Sequence, residues 1–313
     1  MREKRNFAQR TKVLENDEVK KKYYLVYEGK NTESIYFEAV DSLKLQIGIN
    51  PMIELIPIVR SYSEEGWSNP QKIVERINQN IQEFESGVFS YETLLNCLME
   101  YLEDQGYVVN NRTLSKTIWN QFQVICKEQW NMSLQDVVEN PELVCQKLLN
   151  CLSVNMQLPQ IVVDISKILK LNNFDYVEGL DKICFIVDRD KGSFKEEQYD
   201  SVLEQCKQNG YGIYVTNPCF EFWLLLHFED VQQLDNEKLL NNPAVTCKRR
   251  YTENELKKRM PHFKKSRYDA RELVKNIGVA VQNEKYYCED IDEMKNLVGS
   301  NIGILITEIS EKL

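Results

Sequence analysis

Residues 23–27, Tyr-Tyr-Leu-Val-Tyr, run into Glu28-Gly29-Lys30-Asn31-Thr32-Glu33, and residues 183–187, Ile-Cys-Phe-Ile-Val, run into Asp188-Arg189-Asp190. Each is a short, continuously apolar run that stops on carboxylates, as a buried strand of a parallel sheet does. A strand ending in a carboxylate delivers it to a sheet edge, and in open α/β sheets that edge binds ligands. Two such edges side by side make an oxygen-donor site suited to Mg²⁺. Residues two apart in an extended segment face the same side, so Asp188 and Asp190 can reach one cation, and without it their charges repel. The plain alternative is two solvated carboxylates in a turn.

Outward from these runs the pattern is β-α-β-α. A helix is expected near 33–45 with Thr32 as N-cap, then a strand from Ile53 to Val59, then a helix opened by Asn69 and Pro70. From about residue 82 to 172 the spacing turns helical. Leu94, Leu98 and Leu102 share one face, as do Leu114, Ile118, Phe122 and Ile125; Asn140-Pro141 opens a further helix, and Ile161, Ile165, Ile168 and Leu169 mark the last. Such a stretch is too long for a loop. The α/β pattern resumes at 183–187, followed by a helix at about 195–209 closed by Gly210 and a strand from Tyr211 to Val215. An apolar helix through Phe228 comes next with Asn217 as N-cap, and the tail from 250 is mainly helical. The organisation expected is a basic arm at 1–20, an α/β domain built from 21–80 and 176–313, and an all-helical insertion at 81–175.

The chain has 313 residues, enough for a sizeable core. No stretch approaches the ~20 apolar residues of a membrane span, and no apolar leader follows the basic start, so a cytoplasmic protein without a membrane partner is expected. Nine cysteines include no Cys-x-x-Cys pair, and there are only two histidines, which excludes a standard zinc site and suits a reducing compartment. The net charge of −9 argues against a wholesale nucleic-acid coat, yet residues 248–275 hold eleven basic side chains against four acids. Tyr251, Phe263 and Tyr268 are interleaved with them. That segment is either a single-strand contact surface or a solvated face.

Glu28, at a strand end before a helix, could ligate a metal or act as a general base. Glu33 either complements the helix dipole or serves catalysis. Glu221 sits among Phe220, Phe222, Trp223 and Leu224, where a carboxylate must be paired or functional. His227 reads as a structural cap. Lys265 either meets the scissile phosphate or belongs to the basic face. The candidate catalytic set is therefore Glu28, Glu33, Glu221 and Lys265. The candidate substrate contacts are Lys30, Asn217, Lys264 and Arg267, and the candidate metal ligands are Glu28, Asp188 and Asp190.

Three ordered motifs resemble the RloB-like family. Tyr27-Glu28-Gly29-Lys30-Asn31-Thr32-Glu33-Ser34-Ile35-Tyr36-Phe37 is similar to its opening, and Val187-Asp188-Arg189-Asp190 to its Asp-x-Asp strand. The most specific is Thr216-Asn217-Pro218-Cys219-Phe220-Glu221-Phe222-Trp223-Leu224-Leu225-Leu226-His227-Phe228. Pro261-His262-Phe263-Lys264-Lys265 resembles a later element, with Phe263 where Tyr is usual. The resemblance covers roughly 22–78 and 178–300. It implies a Toprim-like parallel sheet flanked by helices and binding Mg²⁺ (Mn²⁺ as a substitute). It assigns Glu28 as acid/base and Asp188 and Asp190 as ligands. It also implies a nuclease role in prokaryotic antiphage defence, often beside an ATPase partner. The helical block has no counterpart in compact members, so substrate and partner stay open.

The expectation is a metal-dependent endonuclease acting on RNA, including tRNA, or DNA. A homo-oligomer is compatible. One alternative is a non-catalytic or autoinhibited partner subunit of a defence ATPase. Another is a dehalogenase-type phosphatase with Asp188 as nucleophile, which leaves Glu28 unexplained. No Gly-x-x-x-x-Gly-Lys loop is present, so ATP use would come from a partner.

Overall fold

In the computed structural model, which describes residues 21–27, 31–58, 70–71, 73–75, 77–78, 90–104, 112–151, 176–177, 179–191, 194–247 and 249–310, the two apolar runs are central strands of one sheet. Strands β1 (Lys21–Tyr27), β2 (Ile53–Ile58), β3 (Lys182–Asp188) and β4 (Gly212–Asn217) are joined by the two-residue β7 (Gly299–Ser300), in the order β2-β1-β3-β4-β7. The first four are parallel and β7 is antiparallel to β4. Burial explains the composition of β1 and β3: Tyr23–Tyr27 and Ile183–Val187 are buried throughout, so both faces of the sheet are covered.

Alternate residues feed opposite faces. Tyr23, Leu25, Tyr27, Cys184 and Ile186 join the large core on one side. That core is closed by α1 (Thr32–Leu43) and α6 (Phe220–Leu225), where Tyr36 packs edge-on against Phe37, Phe220 and Trp223. On the other side, Phe185 meets Tyr211 just before β4, and α5 (Glu196–Gln208) buries Tyr199, Val202 and Cys206. Helix α5 ends at Gly210, whose φ of +69° suits glycine. Beyond α6 come α7 (Asn236–Asn241), the hairpin β5 (Ala244–Thr246) and β6 (Arg249–Arg250), and α8 (Tyr251–Arg259). Helices α9 (Ala270–Val274), α10 (Ile277–Glu284) and α11 (Ile302–Ser310) complete the helical C-terminal region.

The starting edge of the sheet is tied to α11 by Glu308. Its carboxylate accepts from Tyr23 Oη at 2.8 Å and Tyr214 Oη at 3.1 Å, and meets Lys182 Nζ at 2.7 Å. Asp181 fastens the chain where it re-enters the sheet, accepting from Lys22 N and Val177 N, both at 2.8 Å.

The chain divides into two compact units at 58/59 and 176/177, against the 80/81 and 175/176 of the sequence reading. Within the second unit, Tyr91–Asp104, Arg112–Val124 and Pro141–Cys151 are α-helices, and Ile125–Gln129 is a π-helical turn. Leu94, Leu98, Leu102, Ile118 and Phe122 share its core, and Asn140 Oδ1 accepts from Leu143 N at 3.0 Å. The expected helix around Ile161–Leu169, the basic arm, Val59 and the Asn69 cap lie outside the described residues.

Two caps differ from expectation. Thr32 is the first helical residue of α1, with Asn31 at the N-cap position, and the Thr32 hydroxyl donates instead to Lys265 O at 3.3 Å. Asn217 is no cap either. It ends β4, fully buried, and its Nδ2 donates to Met294 O at 2.6 Å and Leu297 O at 2.9 Å. The described cysteines are thiols rather than disulfides, and five are buried. No described helix is long and apolar enough to cross a membrane.

Candidate active site

Strands β1 and β3 run parallel with Tyr27 opposite Ile186, so the described part of β1 ends at the same edge of the sheet as β3, which ends on Asp188. Glu28 and Lys30 themselves lie outside the described residues. Asp188 pairs in register with Thr216 on β4. Its Oδ1 accepts from Phe220 N at 2.8 Å, satisfying an amide at the start of α6 that has no partner inside the helix. Cys219 holds the N-cap position in an extended conformation.

Arg189 fixes the turn that carries both aspartates. It is buried, its backbone N donates to Thr216 O at 2.9 Å, and its Nη1 donates to Phe194 O. Its guanidinium lies 5.1 Å from the Tyr199 ring centre and 5.9 Å from that of Phe194. Asp190, one residue further, is exposed, and its carbonyl accepts from Phe194 N at 2.8 Å.

Glu221 is 2% exposed, and its carboxylate meets Lys265 Nζ at 2.8 Å. Lys265 is carried by a four-residue turn in which Lys264 N donates to Arg267 O at 3.1 Å and Arg267 N to Lys264 O at 2.8 Å. The turn is pinned to α1: Thr32 Oγ1 donates to Lys265 O, and Tyr268 Oη donates to Thr32 O at 2.6 Å. Burial opposes the charge of Lys265, but the Glu221 carboxylate, with help from Asp188, outweighs it and holds the ammonium above the ordinary lysine range. Lys265 is therefore a fixed cation and not a proton acceptor near neutrality.

Asn242 organises the far wall. It takes the left-handed conformation at the end of α7, with φ of +39°, which asparagine tolerates. Its Oδ1 accepts from Thr252 N at 3.0 Å and Thr252 Oγ1 at 3.1 Å, and Arg250 Nη1 donates to its carbonyl at 3.3 Å. Cys219 Sγ lies 3.3 Å from Thr252 Oγ1, and burial pushes the thiol well up, so it is no thiolate nucleophile.

Asp188, Asp190, Glu221 and Glu253 thus share a cavity of about 330 Å³ with Arg189, Lys191, Arg250 and Lys265. Among the described residues, no group of three or more His, Cys, Asp or Glu side chains is placed to hold a metal ion. Mg²⁺ does not require one, because it commonly takes one or two carboxylates together with substrate phosphate oxygens and water. Asp188 and Asp190 are donors of that kind.

Residues 23–309 match the family described as RloB-like protein. The chain belongs to that family. No curated protein and no solved structure matches it.

In this RloB-like chain the cavity gathers four of the residues singled out from sequence: Asp188, Asp190, Glu221 and Lys265. The other described candidates lie elsewhere. Glu33 is buried in the first turn of α1, where, after burial itself, its charge helps hold the Tyr27 phenol up. Asn217 is fully buried, Lys264 is exposed, and Arg267 lines a second cavity. His227 is a structural cap, set inside the core rather than at the surface. It is buried within 3.0 Å of Tyr36 Oη and 3.1 Å of Trp223 O, and burial pulls its pKa down to about 4, so it is neutral. The aromatics of the basic segment also pack inward: Phe263 is buried, and Tyr251 and Tyr268 are half-buried against the core. Sequence reasoning missed Arg189, Asn242, Arg250 and Thr252. Only Arg189 and Arg250 carried a signal, one inside the Asp-x-Asp motif and the other inside the basic run.

Proposed function

We propose that this chain is a metal-dependent endonuclease that hydrolyses phosphodiester bonds in RNA or DNA, working in prokaryotic antiphage defence. The observation that carries the reading is the single cavity in which Asp188, Asp190 and Glu221 face Lys191, Arg250 and Lys265 beside the ends of β3 and β4. Carboxylates alone would repel a nucleic-acid backbone, and cations alone would only bind it. Together they suit a phosphate held with a divalent ion.

Asp188 and Asp190 would hold Mg²⁺, which when bound supplies Lewis-acid stabilisation of the oxygen that departs from phosphorus. Arg189 keeps both carboxylates in place by locking the turn onto Phe194 and Thr216. Lys265 stays protonated and presents a positive charge to a non-bridging phosphate oxygen, with Glu221 fixing its position. Arg250 and Lys191 neutralise flanking backbone charge. Glu28, the residue that follows β1 in sequence, is assigned the proton-accepting role toward the attacking water.

The test is cleavage of total tRNA, plasmid DNA and single-stranded DNA by purified protein with Mg²⁺, Mn²⁺ or EDTA. Glu28→Ala and Asp188→Ala are run beside it. Metal-dependent cutting lost in both variants supports the reading and names the substrate. Cutting that survives both substitutions, or no cutting of any substrate, refutes the proposal for the isolated chain.

A further inference from the structure

A second cavity, of about 550 Å³, opens between α1 and the segment leading into α9, in the same compact unit as the first. The two cavities are separated by the four-residue turn Lys264–Arg267: Lys265 lines the first and Arg267 the second. Its apolar lining comes from Ile35, Ala39, Ala270 and the Tyr268 ring. That ring is held in place, with its hydroxyl on Thr32 O and its centre 5.3 Å from that of the Phe263 ring, the two tilted by 50°. Small side chains at positions 39 and 270 leave the space open.

The rim carries Arg267 and Arg271, both exposed, and neither guanidinium has a hydrogen-bond or ion-pair partner among the described residues. By contrast, the partly buried Arg259 pairs through Nη2 with Asp230 at 2.7 Å, and exposed Lys275 pairs with Glu272 at 2.7 Å. Of the two rim acids, Asp269 is committed to capping α9, accepting from Glu272 N at 3.1 Å. Glu38 remains as an acceptor for base amino groups. An apolar recess with a rigid aromatic ring, bordered by unpaired guanidiniums and one carboxylate, has the chemistry of a nucleotide seat.

We infer that this second cavity receives the nucleotide next to the scissile phosphate, so that the substrate must be single-stranded where it is cut. The inference rests on the nuclease reading and adds a requirement to it. A phosphate held at Lys265 places the neighbouring backbone over the turn, where Arg267 and Arg271 meet the next phosphate. The base then enters the recess against Tyr268, which a base stacked inside a duplex cannot do.

The test is fluorescence anisotropy of the full chain in EDTA with labelled single-stranded RNA, single-stranded DNA and the corresponding duplexes. Wild type is compared with Arg267→Ala/Arg271→Ala and with Ser42→Trp, which fills the recess from an exposed helix position without changing charge. Single strands should bind at least about tenfold more tightly than duplexes, and each variant should lose about tenfold of that affinity. Hydrolysis of a small nitrophenyl phosphodiester, which cannot span both cavities, should stay at the wild-type rate in Ser42→Trp. The ribo and deoxy arms show which sugar the seat accepts. Equal binding by wild type and both variants, equal binding of duplexes, or a loss confined to the arginine variant overturns the inference. No hydrolysis of the small diester by wild type counts against the nuclease reading, while the binding arms still decide the second cavity.

Discussion

Replacing Glu284 by Gln should remove the fall in folding stability that this residue causes as the pH rises to about 8. Glu284 ends α10 and is 1% exposed; its Oε1 accepts from Gly303 N at 3.0 Å at the start of α11, and its Oε2 has no hydrogen-bond partner. Burial drives its pKa from 4.5 up to about 8, against the smaller opposing effect of the Gly303 amide. Between these two values the folded chain holds a proton that the unfolded chain has released, so stability is full below pH 4.5 and is lost as the pH rises toward 8. At 1.36 kcal/mol per unit, the cost is about 3 kcal/mol by pH 7 and about 5 kcal/mol by pH 9. Buried neutral His227 acts oppositely: its pKa falls from 6.5 to about 4, so its contribution is lost as the pH drops through that range. From these two groups alone, wild-type stability should be nearly flat between about pH 4.5 and 6.5 and should fall above it. Glu284→Gln keeps the shape and the acceptor for Gly303 N but cannot ionise. The assay is urea unfolding followed by Trp223 fluorescence, with Trp67, Trp119 and Trp130 replaced by Phe in both proteins. The stability difference between variant and parent should grow in favour of the variant by about 3 kcal/mol from pH 5 to pH 8. A difference that does not change with pH would refute a buried carboxyl that titrates near 8.

Gly303→Ala places a Cβ 2.1 Å from Glu284 Oε2, and Gly299→Ala places one 2.0 Å from the Cys288 carbonyl oxygen, which is backbone and cannot swing away. Thermal melts should show a loss of roughly 1–3 kcal/mol for the first and a larger one for the second. Lys265→Met leaves the buried Glu221 carboxylate without its ion partner and should cost roughly 1–3 kcal/mol, below the range for fully buried pairs because Lys265 is half exposed; adding Glu221→Gln should recover most of that loss in a double-variant comparison. Asp188→Asn keeps an oxygen to accept from Phe220 N, so the melting temperature should hold, whereas Mg²⁺-dependent cleavage should fall by about a hundredfold or more in a steady-state assay.

How far the sequence alone reaches can be judged element by element. The β1 and β3 runs were legible because strands covered on both faces are continuously apolar, and their misjudged ends are polar residues that simply extend the ladder: Lys21, Lys22, Lys182 and Asp188. β7 escaped notice because two residues carry no periodicity. Asn217 misled for a physical reason. Asparagine before proline at a helix start is the local signature of a cap, but its amide serves two carbonyls 77 and 80 residues away, and Asp188 supplies the acceptor for the helix instead. The same limit applies at the site. A carboxylate among Phe220, Phe222, Trp223 and Leu224 announces that it must be paired or functional, and nothing local says which. The fold shows that it is paired: the turn pinned to α1 brings Lys265 to Glu221 and seats the pair in the cavity shared with Asp188 and Asp190. A buried acid is tolerated here because the Lys265 ammonium lies 2.8 Å from it. Under the proposed function, the ion pair that stabilises the fold and the cation offered to substrate are one arrangement, so variants at either residue should change stability and activity together.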